Sequence, residues 1–363
     1  MEVGILLVYA HWHKNLSDAE VFTQETELAV LAEECGYDSV WVPEHHFDNY
    51  AMSPDNLQTL SYIAGRTSRI KLGTGAVILP WNDPVRVVEK VLVLDHLSGG
   101  RVLFSMGRGL AKMEYEGFGV DMDTSRDRFD EASEMIVRGL RNGVVENDGK
   151  YYPQSKVEIR PGVNPDRPWS DRIYGVAMSP DSIAPVARIG AQMMTFIQKP
   201  VEEHAPAIDE WRRLYHEATG AEPPPVLTLD ATYCHEDAEE AERISREYIG
   251  RHFLSIVKHY DFAGEHWRKT KGYESYQDGA DMIREAGLEA AAQGNADSQL
   301  WGTPEQILEK FQARQEALGD MEVVIQPSFG GLPFDKVRPS IQLFAEKVIP
   351  ELKRLGARTA TAA

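Results

Sequence analysis

Ser39-Val40-Trp41-Val42-Pro43-Glu44-His45-His46-Phe47 runs four residues suited to burial straight into a carboxylate and two adjacent imidazoles. A short run of this kind reads as a parallel strand that delivers titratable groups to the mouth of an α/β fold. Histidine changes charge near neutrality, so a pair beside Glu44 can accept and return a proton. The plainer alternative is a hydrogen-bonded structural histidine at a strand end.

Outward from this stretch, seven further apolar runs alternate with longer amphipathic ones. The eight strand readings are Val3 to Tyr9, Ser39 to Pro43, Ile70 to Leu79, Val102 to Met106, Ile173 to Ala177, Gln192 to Ile197, Val226 to Tyr233 and Glu322 to Gln326. Ser17-Asp-Ala-Glu20 and Thr303-Pro-Glu-Gln306 are capping-box patterns that open helices between them. The repeat of strand and helix predicts an α/β fold, a (β/α)8 TIM barrel, with one domain over 1–355 and a frayed tail over 356–363. Two segments break the rhythm and predict insertions after strands four and seven. One is the Gly-, Asn- and Pro-rich stretch 142–171; the other, 259–302, carries Gly264, Gly272, Gly279 and Gly287 and reads as a long loop over the site.

Composition excludes several classes of partner. The chain has 38 Lys and Arg against 57 Asp and Glu, a formal net charge of −19, which repels nucleic-acid phosphates and anionic lipid. Cys35 and Cys234 are its two cysteines, too few and too far apart for a disulfide framework or a thiolate zinc site. The N-terminal apolar run is short and lacks a basic region, and no segment is long enough to span a bilayer. A cytoplasmic location is the expectation.

Reactive groups of a barrel belong at the C-terminal ends of its strands. Strand two ends in Glu44, His45 and His46. Strand three runs through Gly73-Thr74-Gly75-Ala76, where glycine inside a strand marks the close approach of something flat or bulky, a planar cofactor ring being one candidate and a barrel corner another. Strand four ends in Gly107-Arg108-Gly109, a guanidinium able to fork onto a phosphate between glycines that let the backbone come close. Strand five ends in Met178-Ser179-Pro180-Asp181-Ser182 and opens a helix, a second anion-binding surface. Arg108, Ser179 and Ser182 together make a phosphate cradle. No Gly-x-Gly-x-x-Gly or Walker pattern is present, and no Gly-x-Ser-x-Gly elbow. His11, His13, Glu44, His45 and His46 raise a metal reading, but without helical His-x-x-x-His or Cys ligands the expectation is no metal.

The set Glu44-His45-His46-Phe47, Gly73 to Pro80, Pro84-Val85-Arg86, Gly107-Arg108-Gly109-Leu110, Phe118 to Met122, Ser125-Arg126 and Gly302 to Glu305 resembles the bacterial luciferase-like flavin monooxygenases. The resemblance spans nearly the whole chain and is nearest to the catalytic, α-type luciferase subunit and its non-luminous relatives. It implies that His45 is the catalytic histidine, and that Arg108, Ser179 and Ser182 hold the FMN phosphate. It also implies a non-prolyl cis peptide at Gly75-Ala76 under the flavin ring, an acidic group, Glu114, near the flavin, and a mobile lid around Lys271-Gly272-Tyr273. Two departures stand out: Gly107 replaces a cysteine beside the flavin, and Met178 replaces an acidic residue whose backbone reaches the phosphate.

The resulting expectation is a two-component monooxygenase. A separate flavin reductase supplies reduced FMN, molecular oxygen is co-substrate, and a flavin hydroperoxide oxygenates a small-molecule substrate, an aldehyde or ketone. His45, Glu44 and Glu114 form the catalytic set; Gly75, Ala76, Gly107, Arg108, Met178, Ser179 and Ser182 form the cofactor set. A homodimer through the helices after strands two and three is expected by resemblance. The alternatives are a deazaflavin-dependent dehydrogenase on the same barrel and a non-catalytic flavin-binding protein.

Overall fold

Eight parallel strands close on one another in the computed structural model, which describes residues 1–360. They are β1 Val3–Leu6, β2 Ser39–Val42, β3 Lys71–Thr74, β4 Val102–Gly107, β5 Ile173–Val176, β6 Gln192–Phe196, β7 Val226–Cys234 and β8 Met321–Gln326. Neighbours pair in chain order, and the ring closes where Val3 of β1 lies opposite Val323 of β8. The helices around the outside are α1 Asp18–Cys35, α2 Asn56–Ala64, α3 Pro84–Ser98, α4 Lys112–Phe118, α5 Ser125–Asn142, α6 Pro180–Arg188, α7 Ala205–Thr219, α8 Ala238–His259, α9 Tyr276–Ala286, α10 Leu288–Ser298, α11 Pro304–Leu318, α12 Phe334–Lys347 and α13 Ile349–Ala360. Both capping boxes read from the sequence are formed, at Ser17 before α1 and at Thr303 before α11.

Alternation along each strand divides the core in two. Residues turned inward fill the barrel: Leu6, Trp41, Leu103, Tyr174, Met194, Leu227, Leu229 and Val324 form one buried cluster. Those turned outward pack beneath the helices. Trp41 is fully buried, and a Cβ placed on Gly73 would lie 2.2 Å from its indole. The flat group that Gly73 accommodates is therefore a side chain of the barrel itself, not a cofactor.

Three segments differ from the sequence reading. The third strand is not continuous over 70–79: β3 stops at Thr74, a cis Gly75-Ala76 bond follows, and Val77–Ile78 pairs separately with β4. The insertion after β4 carries an antiparallel hairpin, Val144–Asn147 with Gln154–Glu158, inside what reads as an irregular stretch. The segment 259–302 is mainly helical, holding α9, α10 and a short strand, Leu300–Gly302, that pairs with β7. Tertiary packing outweighs the local cost of glycine there: Ala280, Ala292, Asn295 and Ala296 are buried, while nothing lies within 4 Å of a Cβ on Gly279. Of the tail read as frayed, Ala360 ends α13, and 361–363 lie outside the described residues.

Candidate active site

A cavity of about 1350 Å³, open solvent at its mouth included, lies at the C-terminal end of the barrel. The ten residues named as catalytic or cofactor-binding all line it: Glu44, His45 and Glu114; Gly75, Ala76 and Gly107; Arg108, Met178, Ser179 and Ser182. They come from the ends of β2, β3, β4 and β5, from α4 and from the first turn of α6, as parallel strands with helical crossovers require. His11 and His13 do not join them. His11 sits 3.4 Å from Asp18, and His13 stacks on Phe334.

His45 is held on both ring nitrogens. Nδ1 lies 3.1 Å from Glu114 Oε1, and the Tyr260 hydroxyl lies 3.3 Å from Nε2. The same Glu114 oxygen accepts the His46 backbone N–H at 2.8 Å. Glu114 is 1 % exposed; burial by itself raises its pKa, but the charge of His45, the adjacent His259 imidazole and the hydrogen bond with His45 outweigh it and draw the carboxyl down to about 2. It is thus a permanent counter-ion for an imidazolium.

Glu44 does different work. Its Oε1 accepts from Trp81 Nε1 at 2.7 Å and Asn82 Nδ2 at 2.8 Å and lies 3.2 Å from His46 Nε2; its Oε2 accepts from Ile78 N at 3.1 Å. These bonds pin the turn after the cis peptide to the end of β2. Asn56 Nδ2 donates to Val42 O and Ala76 O and fastens the same turn from below.

Opposite His45 the cavity becomes a cradle for an anion. Arg108 is buried and its Nη1 has no hydrogen-bond partner. Arg126, at the start of α5, has three buried nitrogens with no partner, and burial followed by the nearby charge of Arg108 lowers its pKa. Asp130 lies 3.7 Å from Arg126 Nη1 and offsets part of the cost of burying two guanidinium groups near each other; a further anion would offset more. Ser179 caps α6, with its backbone N–H on Ser182 Oγ at 3.0 Å. Met178 has its sulfur 3.1 Å from the Phe196 N–H, which turns this strand end toward the cradle.

Lys271-Gly272-Tyr273 covers Arg108. The Tyr273 ring centroid is 3.8 Å from the guanidinium carbon, and its hydroxyl donates to Gly109 O at 2.8 Å. Gly272 has φ +79°, and a Cβ there would come within 2.8 Å of Arg108 Nη1. Sequence reasoning missed Arg126, His259, Tyr260 and Tyr273 as site residues. All four stood within stretches already noted, His259 and Tyr260 at the start of 259–302, but nothing local singled them out, because His259 and Tyr260 meet the His45 site only through the fold.

Fold and cavity together define a (β/α)8 barrel whose C-terminal chamber is lined by His45, held on a buried carboxylate, and by the buried Arg108. The sequence model of the luciferase-like monooxygenase family matches residues 1–321. The chain belongs to that family of oxidoreductases. It is 27 % identical over 357 residues to the alkanal monooxygenase alpha chain of Photorhabdus laumondii, covering 93 % of this chain and 94 % of that one. Among solved structures it resembles the monooxygenase RslO1 from Streptomyces bottropensis, with TM-score 0.81, 27 % identity and coverage of 97 % and 100 %. The oxygenating constituent of 3,6-diketocamphane monooxygenase from Pseudomonas putida, solved with FMN, shares the fold at TM-score 0.72 and 19 % identity, covering 97 % and 98 %. Among the described residues no helix is long and apolar enough to cross a membrane.

Proposed function

We propose that this enzyme is a two-component monooxygenase, which takes reduced FMN from a separate reductase and oxygenates a small aldehyde or ketone. The observation that carries this reading is the shared cavity, lined by His45 on a buried carboxylate and by Arg108, whose Nη1 has no hydrogen-bond partner, with Arg126 outside the lining and 3.7 Å from Asp130. A phosphate monoester supplies the charge and the acceptor geometry that two buried guanidinium forks lack. The alkanal monooxygenase relative and the neighbour solved with FMN support the cofactor and the carbonyl substrate.

When bound, reduced FMN supplies two electrons to dioxygen, so that one oxygen atom enters the substrate and the other leaves as water. The chain's own residues bind, orient and protonate. Arg108 and Arg126 hold the phosphate, aided by the hydroxyls of Ser179 and Ser182 and the backbone of Met178. Gly75, Ala76 and Gly107 form the wall against which a planar ring lies. His45 moves a proton at Nε2 while Glu114 fixes Nδ1, and Glu44 is a positioning residue for the Gly75-Ala76 turn. Phe196, Ile256, Tyr260 and Phe262, lining the cavity, exclude water from the reacting atoms.

Exposed Tyr62 on α2 and Val93 and Leu97 on α3 support a homodimer through those helices. A monomer in sedimentation would overturn that part. For the activity, reduced FMN is bound anaerobically and mixed with ¹⁸O₂ in the presence of decanal or a bicyclic ketone. One ¹⁸O atom in the product is expected. Failure to bind reduced FMN, together with oxygen-independent oxidation by a deazaflavin, would replace the reading with a dehydrogenase.

A further inference from the structure

Glu114 Oε1 serves two imidazoles. His259, the last residue of α8, places Nε2 3.4 Å from this oxygen, against 3.1 Å for His45 Nδ1, and the two rings lie edge to face with centroids 5.0 Å apart. His259 is fully buried, and neither nitrogen has a well-aligned hydrogen-bond partner. Its Nδ1 is 3.8 Å from Asp48 Oδ2, beyond hydrogen-bond reach. Glu114 is the nearer carboxylate, so the tautomer with the proton on Nε2 is favoured, its N–H beside Glu114 Oε1 but out of line for a full hydrogen bond.

The other titratable and charged groups around the pair are few. From the loop after β2 come His46, Asp48 and Tyr50, whose ring stacks on His259 at 4.6 Å. Glu114 comes from α4. Around the end of α8 are Tyr260, beside both histidines; His252, stacked on Tyr50; and exposed Lys258, 3.7 Å from Asp48. Burial lowers the pKa of His259 and His45 lowers it further, whereas Glu114 and Asp48 pull the other way. A single buried carboxylate neutralises one imidazolium, so a second charge on the adjacent ring is disfavoured.

We propose that His259 is a positioning residue that shares Glu114 with His45 and thereby limits how tightly His45 holds its proton. This rests on reading His45 as the proton-transfer residue. With His259 present, Glu114 Oε1 faces two imidazoles, His45 through a hydrogen bond and His259 through an N–H dipole 3.4 Å away. Without it, the carboxylate turns wholly to His45, which then releases its proton less readily.

The test is the titration of histidines in the full chain without flavin, followed by ¹⁵N-histidine NMR, with His45→Gln assigning the His45 signal. In the unmutated chain His259 is expected to stay neutral, protonated on Nε2. His259→Phe keeps a ring against Tyr50 and removes the N–H dipole; it is expected to raise the His45 midpoint by roughly 0.3–0.5 pH unit, less than the weight of one full hydrogen bond. His259→Gln, which retains an N–H, is expected to return much of that shift. An unmoved midpoint in His259→Phe, an equal shift in His259→Gln, or a charged or Nδ1-protonated His259 in the unmutated chain overturns the proposal. Because the measurement needs no flavin, it fails independently of the monooxygenase reading.

Discussion

Removing the guanidinium of Arg108 is the sharpest test of the anion cradle. Its Nη1 is already buried without a partner, so much of the desolvation is met in folding, and a phosphate oxygen arriving there gains a charge-assisted hydrogen bond. Such bonds contribute about 1.5–3 kcal/mol, so Arg108→Ala should weaken FMN binding roughly 10- to 150-fold. Arg126 remains beside the site and keeps the loss from going further. Arg108→Lys retains the charge but not the fork and should fall between. The assay is calorimetric titration with FMN and, in parallel, with riboflavin, which lacks the phosphate. Riboflavin affinity should change by less than about twofold in both variants, because the bond removed is a phosphate bond. Equal losses for the two flavins, or an unchanged FMN dissociation constant, would refute the reasoning.

Two further outcomes concern the scaffold. Glu25 is fully buried in α1, and burial pushes its carboxyl up to about 7. Because the folded value lies above the unfolded one, its contribution is complete below about pH 4.5 and is lost as the pH rises through 7, a fall of roughly 3 kcal/mol. Urea denaturation of Glu25→Gln from acid to mildly alkaline pH should lack that part of the slope; parallel curves for variant and parent would disprove it. In Gly73→Ala the new methyl would start 2.2 Å from Trp41, so the indole or β3 must shift. A destabilisation of about 1–3 kcal/mol with altered tryptophan fluorescence is expected, and an unperturbed emission spectrum and melting point would contradict it.

Much of the barrel was legible because its signals are local. Apolar runs of strand length, two capping boxes and strand ends rich in Glu, His, Arg and Ser each follow from neighbouring residues, and they point to the strand ends that line one cavity; Glu114, on α4, was named only through the family resemblance. The readings that shifted were those in which a residue answers to something distant. Gly73 reads as room for a ligand, yet the ring beside it is Trp41 from the adjacent strand. The glycines of 259–302 read as loop, but burial of α9 and α10 makes those segments helical. Glu44 reads as an acid–base partner of its neighbours, but four contacts tie it chiefly to the turn at Ile78, Trp81 and Asn82.

The sequence alone determined the periodic strand–helix order, the acidic surface and the residue types at each strand end, since these depend on composition and short-range spacing. Tertiary structure alone decided that Tyr260 meets His45 across 215 residues, that His259 and His45 converge on one Glu114 oxygen, and that the buried nitrogens of Arg126 stand near Arg108 without a hydrogen-bond partner. Closing the barrel brings the ends of β2, β4 and α8 within a few ångströms of one another. Only that closure sets which buried charges face each other and which wait for a ligand.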